Sequence, residues 1–202
     1  MAEGAAGAPP PDWIQRQLAD HIAVAQAVRP LLPRVIDVAQ LLCATFAAGG
    51  SVWTFGNGGS AADAQHLSGE LIGRYRRDRR PLPCLTLGTD ASVTSCVAND
   101  YRFDDVFSRQ LTAVARPGDV VCAFSTSGRS ANIVNGLGAA RERGATTVLF
   151  GGGDGGPAVA LTDHPLIAPS DRTARIQEMH TVMLHLISEH VDAWAAGEEP
   201  TR

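Results

Sequence analysis

Apolar positions between Trp13 and Phe46 recur every three or four residues, the period of a helix with one buried face. Pro30 and Pro33 interrupt the run, which predicts two helices, and Gly49–Gly50 end the second. Beyond them the pattern changes. The segments "SVWTF" (51–55), "PCLTL" (83–87), "DVVCAF" (119–124), "TTVLF" (146–150) and "HPLIA" (164–168) are short and largely apolar, and read as strands. Helical stretches lie between them, at about 60–72, in a shorter piece after Ala91 and at 130–143, and a last helix spans 173–195. Strands without polar alternation are buried on both faces, and interleaved helices make the sheet parallel. The expected fold is α/β, a single domain over 13–196 with a parallel five-stranded sheet flanked by helices in a Rossmann- or flavodoxin-like order, plus a helical N-terminal extension. Residues 1–12, small and Pro-rich, and 197–202 read as disordered tails.

In such sheets ligands bind at the carboxyl ends of the strands. Two loops there suit an anion. "GNGG" (56–59) follows the first strand and opens a helix, and glycine lets a ligand approach the backbone closely. It matches neither a dinucleotide fingerprint nor a P-loop, since the third glycine spacing and the G-K-[ST] are missing. "STSGRS" (125–130) places Ser125, Thr126, Ser127 and Ser130 around Gly128, again between a strand and a helix. Exposed N–H groups and the helix dipole favour an anion there, and a serine cap accounts for one hydroxyl rather than four.

His66 and Glu70 are four residues apart on the helix that follows the first loop. Both face the same way, and they could clasp a metal ion or stand as an acid–base pair. The last helix, "RIQEMHTVMLHLISEH", carries Gln177, His180, His185 and His190, and periodicity does not decide between His180 and His185 as a functional group. His21, His164 and His190 lack polar company and read as structural or surface residues. Asn99 and Asp100 in "VANDY" suit sugar hydroxyls or an Asx-turn equally. The basic run "GRYRRDRRP" (73–81) reads mainly as a solvated loop, with Arg74 a candidate to help with an anionic ligand.

The net charge of −4 gives no basic field for nucleic acid. No uninterrupted apolar run approaches ~18 residues, so no membrane span is expected. The N-terminus lacks the features of a signal peptide. Four cysteines without a C-x-x-C pair read as buried, reduced thiols of a cytoplasmic protein.

Together, "GNGGSAADAQH…E", "VANDY", "STSGRSAN" and "ARIQEMH…H" resemble the phosphoheptose isomerases of the sugar isomerase (SIS) superfamily, over residues from about 13 to 195. The resemblance implies aldose–ketose isomerisation of D-sedoheptulose 7-phosphate to D-glycero-D-manno-heptose 7-phosphate through an ene-diolate. It implies a homotetramer with sites at subunit interfaces and one zinc ion per subunit. Carried over by motif, zinc falls to His66, Glu70, Gln177 and His185. The sugar phosphate falls to Asn57, Gly58, Gly59, Ser60, Glu70, Asn99, Asp100 and Gln177, and its phosphate to Ser125, Thr126, Ser127 and Ser130. Glu70 and His185 become the acid–base pair. Some relatives carry an Asp three residues before the glutamine, where this chain has Ala174. Gln is a poor zinc ligand, and a straight helix puts Gln177 about 12 Å from His185, so His180 is the substitute ligand. The superfamily also holds non-catalytic phosphosugar-binding and replication-initiator-binding proteins, and isomerases of other phosphosugars, which are the alternative readings.

Overall fold

The structure, a computed structural model, describes residues 11–200. The helices are α1 (Asp12–Ala27), α2 (Leu32–Ala47), α3 (Gly59–Ile72), α4 (Ala91–Asp100), α5 (Val106–Val114), α6 (Ala131–Glu142) and α7 (Thr173–Ala196). The strands are β1 (Val52–Gly56), β2 (Cys84–Thr86), β3 (Val120–Phe124), β4 (Thr146–Gly152) and β5 (His164–Ala168). All four pairings are parallel, in the order β2-β1-β3-β4-β5. The expected tail of residues 1–12 falls mostly outside the described residues, and Asp12 opens α1.

The central strands feed two cores. Val120, Cys122 and Phe124 face α2, α3 and α7, whereas Val121 and Ala123 face α5 and α6. Phe124 stacks on Phe150 with centroids 4.2 Å apart, and both rings are fully buried. Full burial of such a ring contributes about 1.5–3 kcal/mol.

Four elements depart from expectation. The segment 106–114, given no element from the sequence, is α5; Val106, Phe107 and Leu111 form its buried stripe. Asn99 and Asp100 close α4 rather than forming an Asx-turn. Cys96 is exposed on α4, whereas Cys43, Cys84 and Cys122 are buried; burial pushes the Cys43 thiol up to about 11 and that of Cys84 to about 12. Taken as one stretch, Asp12–Ala47 is long and apolar enough by length and composition to cross a membrane, with mean hydropathy 1.3 in one window. Arg16, Asp20, Arg29, Arg34 and Asp37 interrupt that stretch. Pro30 sits in a 3-10 turn (Arg29–Leu31) that separates α1 from α2, and Val35, Val38, Leu42 and Phe46 of α2 belong to the core that includes α7.

Candidate active site

The strand order reverses beside β1: β2 lies on one side and β3 on the other. Crossovers leave in opposite directions from such a point, so a crevice opens at the carboxyl ends of β1 and β3. The two anion-type loops meet there. Asn57 and Asn132 exchange paired amide hydrogen bonds, each side-chain NH2 donating to the other's carbonyl at 2.9 Å. Asn132, buried at the start of α6, was not singled out from sequence.

Neither helix rising from these loops has a side-chain cap. Gly58 precedes α3 at φ +56° and Ser130 precedes α6 in extended conformation, with no side-chain cap bond at either. Such ends keep backbone N–H groups and positive dipole for an anion. The Ser125 hydroxyl, buried, accepts from the Gly128 amide at 3.1 Å, and the Ser127 hydroxyl accepts from the Arg129 amide at 3.3 Å. Two of the four hydroxyls therefore shape the loop, and Thr126 and Ser130 lie beside them, each partly exposed. Gly128, at φ +60°, leaves no room for a Cβ, which would sit 1.9 Å from the Gly155 carbonyl oxygen.

α3 and α7 pack side by side on one face of the sheet, and α3 runs back from the crevice until the Ser68 hydroxyl reaches the Cys84 carbonyl at the start of β2. They bring His66, Glu70 and His185 together, with one ligand atom from each within 4.8 Å of the others. His66 Nε2 is 3.1 Å from Glu70 Oε1 and 3.2 Å from His185 Nε2. The His66 side chain is 38% exposed and that of Glu70 20%, so the cluster opens to solvent on one side. Partial burial holds His185 below the usual histidine range, and His66 adds to this; Glu70 pulls the other way. A neutral imidazole is the form that binds a metal or accepts a proton. Two imidazoles and one carboxylate form a donor set that fits zinc.

Gln177 lies elsewhere. Its side chain covers Gly59, where a Cβ would stand 2.5 Å from Gln177 Nε2. Gly59 is seven residues before His66, about 10 Å along the helix. His180, the proposed substitute, is fully buried, and its Nε2 lies 3.0 Å from the Gly151 carbonyl oxygen. Asn99 and Asp100 are exposed and bonded to each other at 2.8 Å. His21 is bonded to Glu178 at 2.7 Å.

The basic run is less solvated than its composition suggests. Asp192 of α7 is buried and accepts from the backbone amides of Tyr75, Arg76 and Arg77 at 3.3, 3.2 and 2.9 Å, and from Arg79 Nε at 3.1 Å. The Arg79 side chain is only 1% exposed; it also donates to the Glu70 and Leu71 carbonyls, at 2.6 and 2.8 Å. The knot sets Tyr75 against His185, with ring centroids 5.7 Å apart. Arg74, the arginine singled out from sequence, stays exposed.

Comparison with known proteins gives a consistent answer. The family model described as SIS domain matches residues 20–152. The phosphoheptose isomerase of Trichlorobacter lovleyi is 44% identical over 186 residues, covering 92% of this chain and 95% of that protein. The solved phosphoheptose isomerase of Neisseria gonorrhoeae superposes with a TM-score of 0.85 at 37% identity, covering 90% of this chain and 97% of that one. The Francisella tularensis phosphoheptose isomerase superposes at 0.87 with 29% identity, covering the same shares.

Proposed function

The chain belongs to the phosphoheptose isomerases of the SIS-domain proteins, and from that premise we propose that it converts D-sedoheptulose 7-phosphate to D-glycero-D-manno-heptose 7-phosphate. The observation that carries this reading is the convergence of Glu70 and His185 beside His66, on the helix that one of the two uncapped N-termini opens.

The reaction moves one hydrogen between neighbouring carbons and one between neighbouring oxygens. The loops at 57–60 and 125–130 hold the phosphate, with Asn57, Gly58, Gly59 and Ser60 on one side and Ser125, Thr126, Ser127 and Ser130 on the other. Binding energy at that end positions the carbonyl end. The Glu70 carboxylate takes a proton from C1 of the ketose, which leaves an ene-diolate, and returns it to C2. His185 moves a proton between O2 and O1, which its neutral imidazole can accept and release. Asn99, Asp100 and Gln177 are assigned to the sugar hydroxyls. His66, Glu70 and His185 would hold one zinc ion in each subunit, with Gln177 as a fourth ligand only if its side chain leaves Gly59. When bound, zinc supplies Lewis-acid polarisation of the carbonyl.

We place the protein in the cytoplasm, as a homotetramer with sites at subunit interfaces. Supporting assembly, Trp13, Ile14, Leu18 and Ile22 on α1 and Leu32 and Ile36 on α2 are all at least 40% exposed, more apolar surface than a lone helical extension gains by leaving in water.

The test is turnover of sedoheptulose 7-phosphate followed by NMR. The aldose is expected with the wild-type protein. In Glu70→Gln, turnover should fall about 10²–10⁴-fold, as for loss of a positioned acid–base group, with the sugar phosphate still bound. Bound ketose with no aldose from the wild-type protein would refute the assignment.

A further inference from the structure

Beneath the His66–Glu70–His185 cluster lies a second pair that the reaction does not use. Asp63 is one turn before His66 on α3, and His180 is five residues before His185 on α7. His180 is 0% exposed, and Asp63 is about nine-tenths buried. His180 Nδ1 lies 3.7 Å from Asp63 Oδ2. Both atoms are shielded from solvent, and neither has a hydrogen-bond partner. Buried side-chain atoms of this kind are rarely left unpaired, and an orphan costs about 1–3 kcal/mol.

The other ring nitrogen fixes the proton count. The Gly151 carbonyl can only accept, so His180 Nε2 carries a hydrogen. Without a second proton, Nδ1 would turn a lone pair towards a carboxylate, two acceptors facing each other in an apolar surround. The edges of Phe124 and Phe150 wall the His180 ring, with centroids 5.9 and 6.0 Å away. One proton between Nδ1 and Oδ2 removes the conflict, and it leaves the pair neutral overall whichever atom holds it.

We propose that Asp63 and His180 share a proton and act as positioning residues for the isomerase reaction. The ring ties three elements at one point: α3 through Asp63, α7 through its own backbone, and the end of β4 through Gly151. α3 carries Glu70 and α7 carries His185, so the axial register of these two helices sets the separation of the acid–base pair. A slip of one residue moves a side chain 1.5 Å along the axis, and reacting groups lose rate steeply at such displacements. The pair acts through Glu70 and His185 and touches no substrate.

This inference rests on the isomerase reading, and its test separates the two. The first arm is ¹⁵N NMR of the histidine rings in the wild-type protein, with the His180 signals assigned from His180→Gln. The expected result is a hydrogen on Nε2 and a Nδ1 shift displaced from that of a free lone pair. An unperturbed Nδ1 lone pair would overturn the proposal whatever the activity. The second arm is kinetic. Asp63→Ala should lower kcat at least 10-fold while KM changes less than 3-fold. Asp63→Asn, whose amide can donate to Nδ1, should restore kcat to within 3-fold of wild type. Wild-type kcat in a folded Asp63→Ala, or Asp63→Asn no better than Asp63→Ala, would also overturn it. If Asp63→Ala does not fold, the ring shifts and the Asn variant decide. A wild-type protein that makes no aldose counts against the isomerase reading, not against the shared proton.

Discussion

Two charged clusters sit on α7, two turns apart and on the same face, and they are built on opposite principles. Around Asp192, every charge has a partner. The carboxylate is buried, three backbone amides and a buried arginine satisfy it, and Arg77 also reaches Glu189. Around His185, two imidazoles crowd one carboxylate, and burial and the neighbouring ring hold the proton affinity of His185 down. The first arrangement minimises local free energy. The second accepts an unfavourable grouping, which is the mark of a site that waits for a ligand or does proton chemistry. The contrast matters because the knot supports the site: it fastens the loop that holds Tyr75 against His185, and Arg79 grips the carbonyl end of α3 at Glu70.

Substitutions can break this contrast. The largest effect is expected from His185→Gln, with turnover down roughly 10²–10⁴-fold and unfolding free energy within about 0.5 kcal/mol of wild type, read by steady-state kinetics and urea denaturation. A loss of stability comparable to the loss of rate would show that His185 is structural. Asp192→Asn should do the reverse, destabilising by about 3–5 kcal/mol, because it leaves buried Arg79 without its counter-ion. The cost should depend on pH. Burial pushes the Asp192 carboxyl up, but the three amides and Arg79 outweigh it and hold the group below the usual carboxylate range. Its folded value is thus below its unfolded one. The stabilisation is complete above about pH 4 and fades as pH falls through the folded value. Urea midpoints of wild type and variant should therefore converge in acid and separate towards neutrality; a constant gap would remove the charge from the explanation. The smallest effect belongs to Gly59→Ala. The new methyl displaces the Gln177 amide, the far end of a flexible side chain, so stability should change by less than about 1 kcal/mol while KM for the sugar phosphate rises. An unchanged KM would take Gln177 away from the substrate.

Much of this was visible in the chain. The five strands and the helices after the first and third announced themselves by period and punctuation, because a parallel sheet needs apolar segments separated by helices. The pairing of His66 with Glu70 followed from one helical turn. Choosing His185 over His180 did not, since both lie on α7 and only its packing against α3 and β4 turns one ring to the cluster and the other to Gly151. α5 went unseen because Asp104 and Asp105 run into it and its apolar stripe has only three buried members. The Asp192 knot joins residues more than 110 positions apart, so its arginines looked like a solvated run. The available signal was the lone carboxylate in the apolar "HVDAWAA" of α7. Asn132 had a weaker one, a carboxamide at a helix start facing another on a neighbouring loop.

Gly128 meets the Gly155 carbonyl so closely that the serine loop and the turn after β4 are two halves of one mould. Neither half can drift alone. A bulkier residue admitted at 128 forces the backbone at 155 to retreat, and the retreat opens the anion cradle from behind. Recombining the serine loop into a distant homologue should therefore succeed only when the "GGGDGG" turn travels with it.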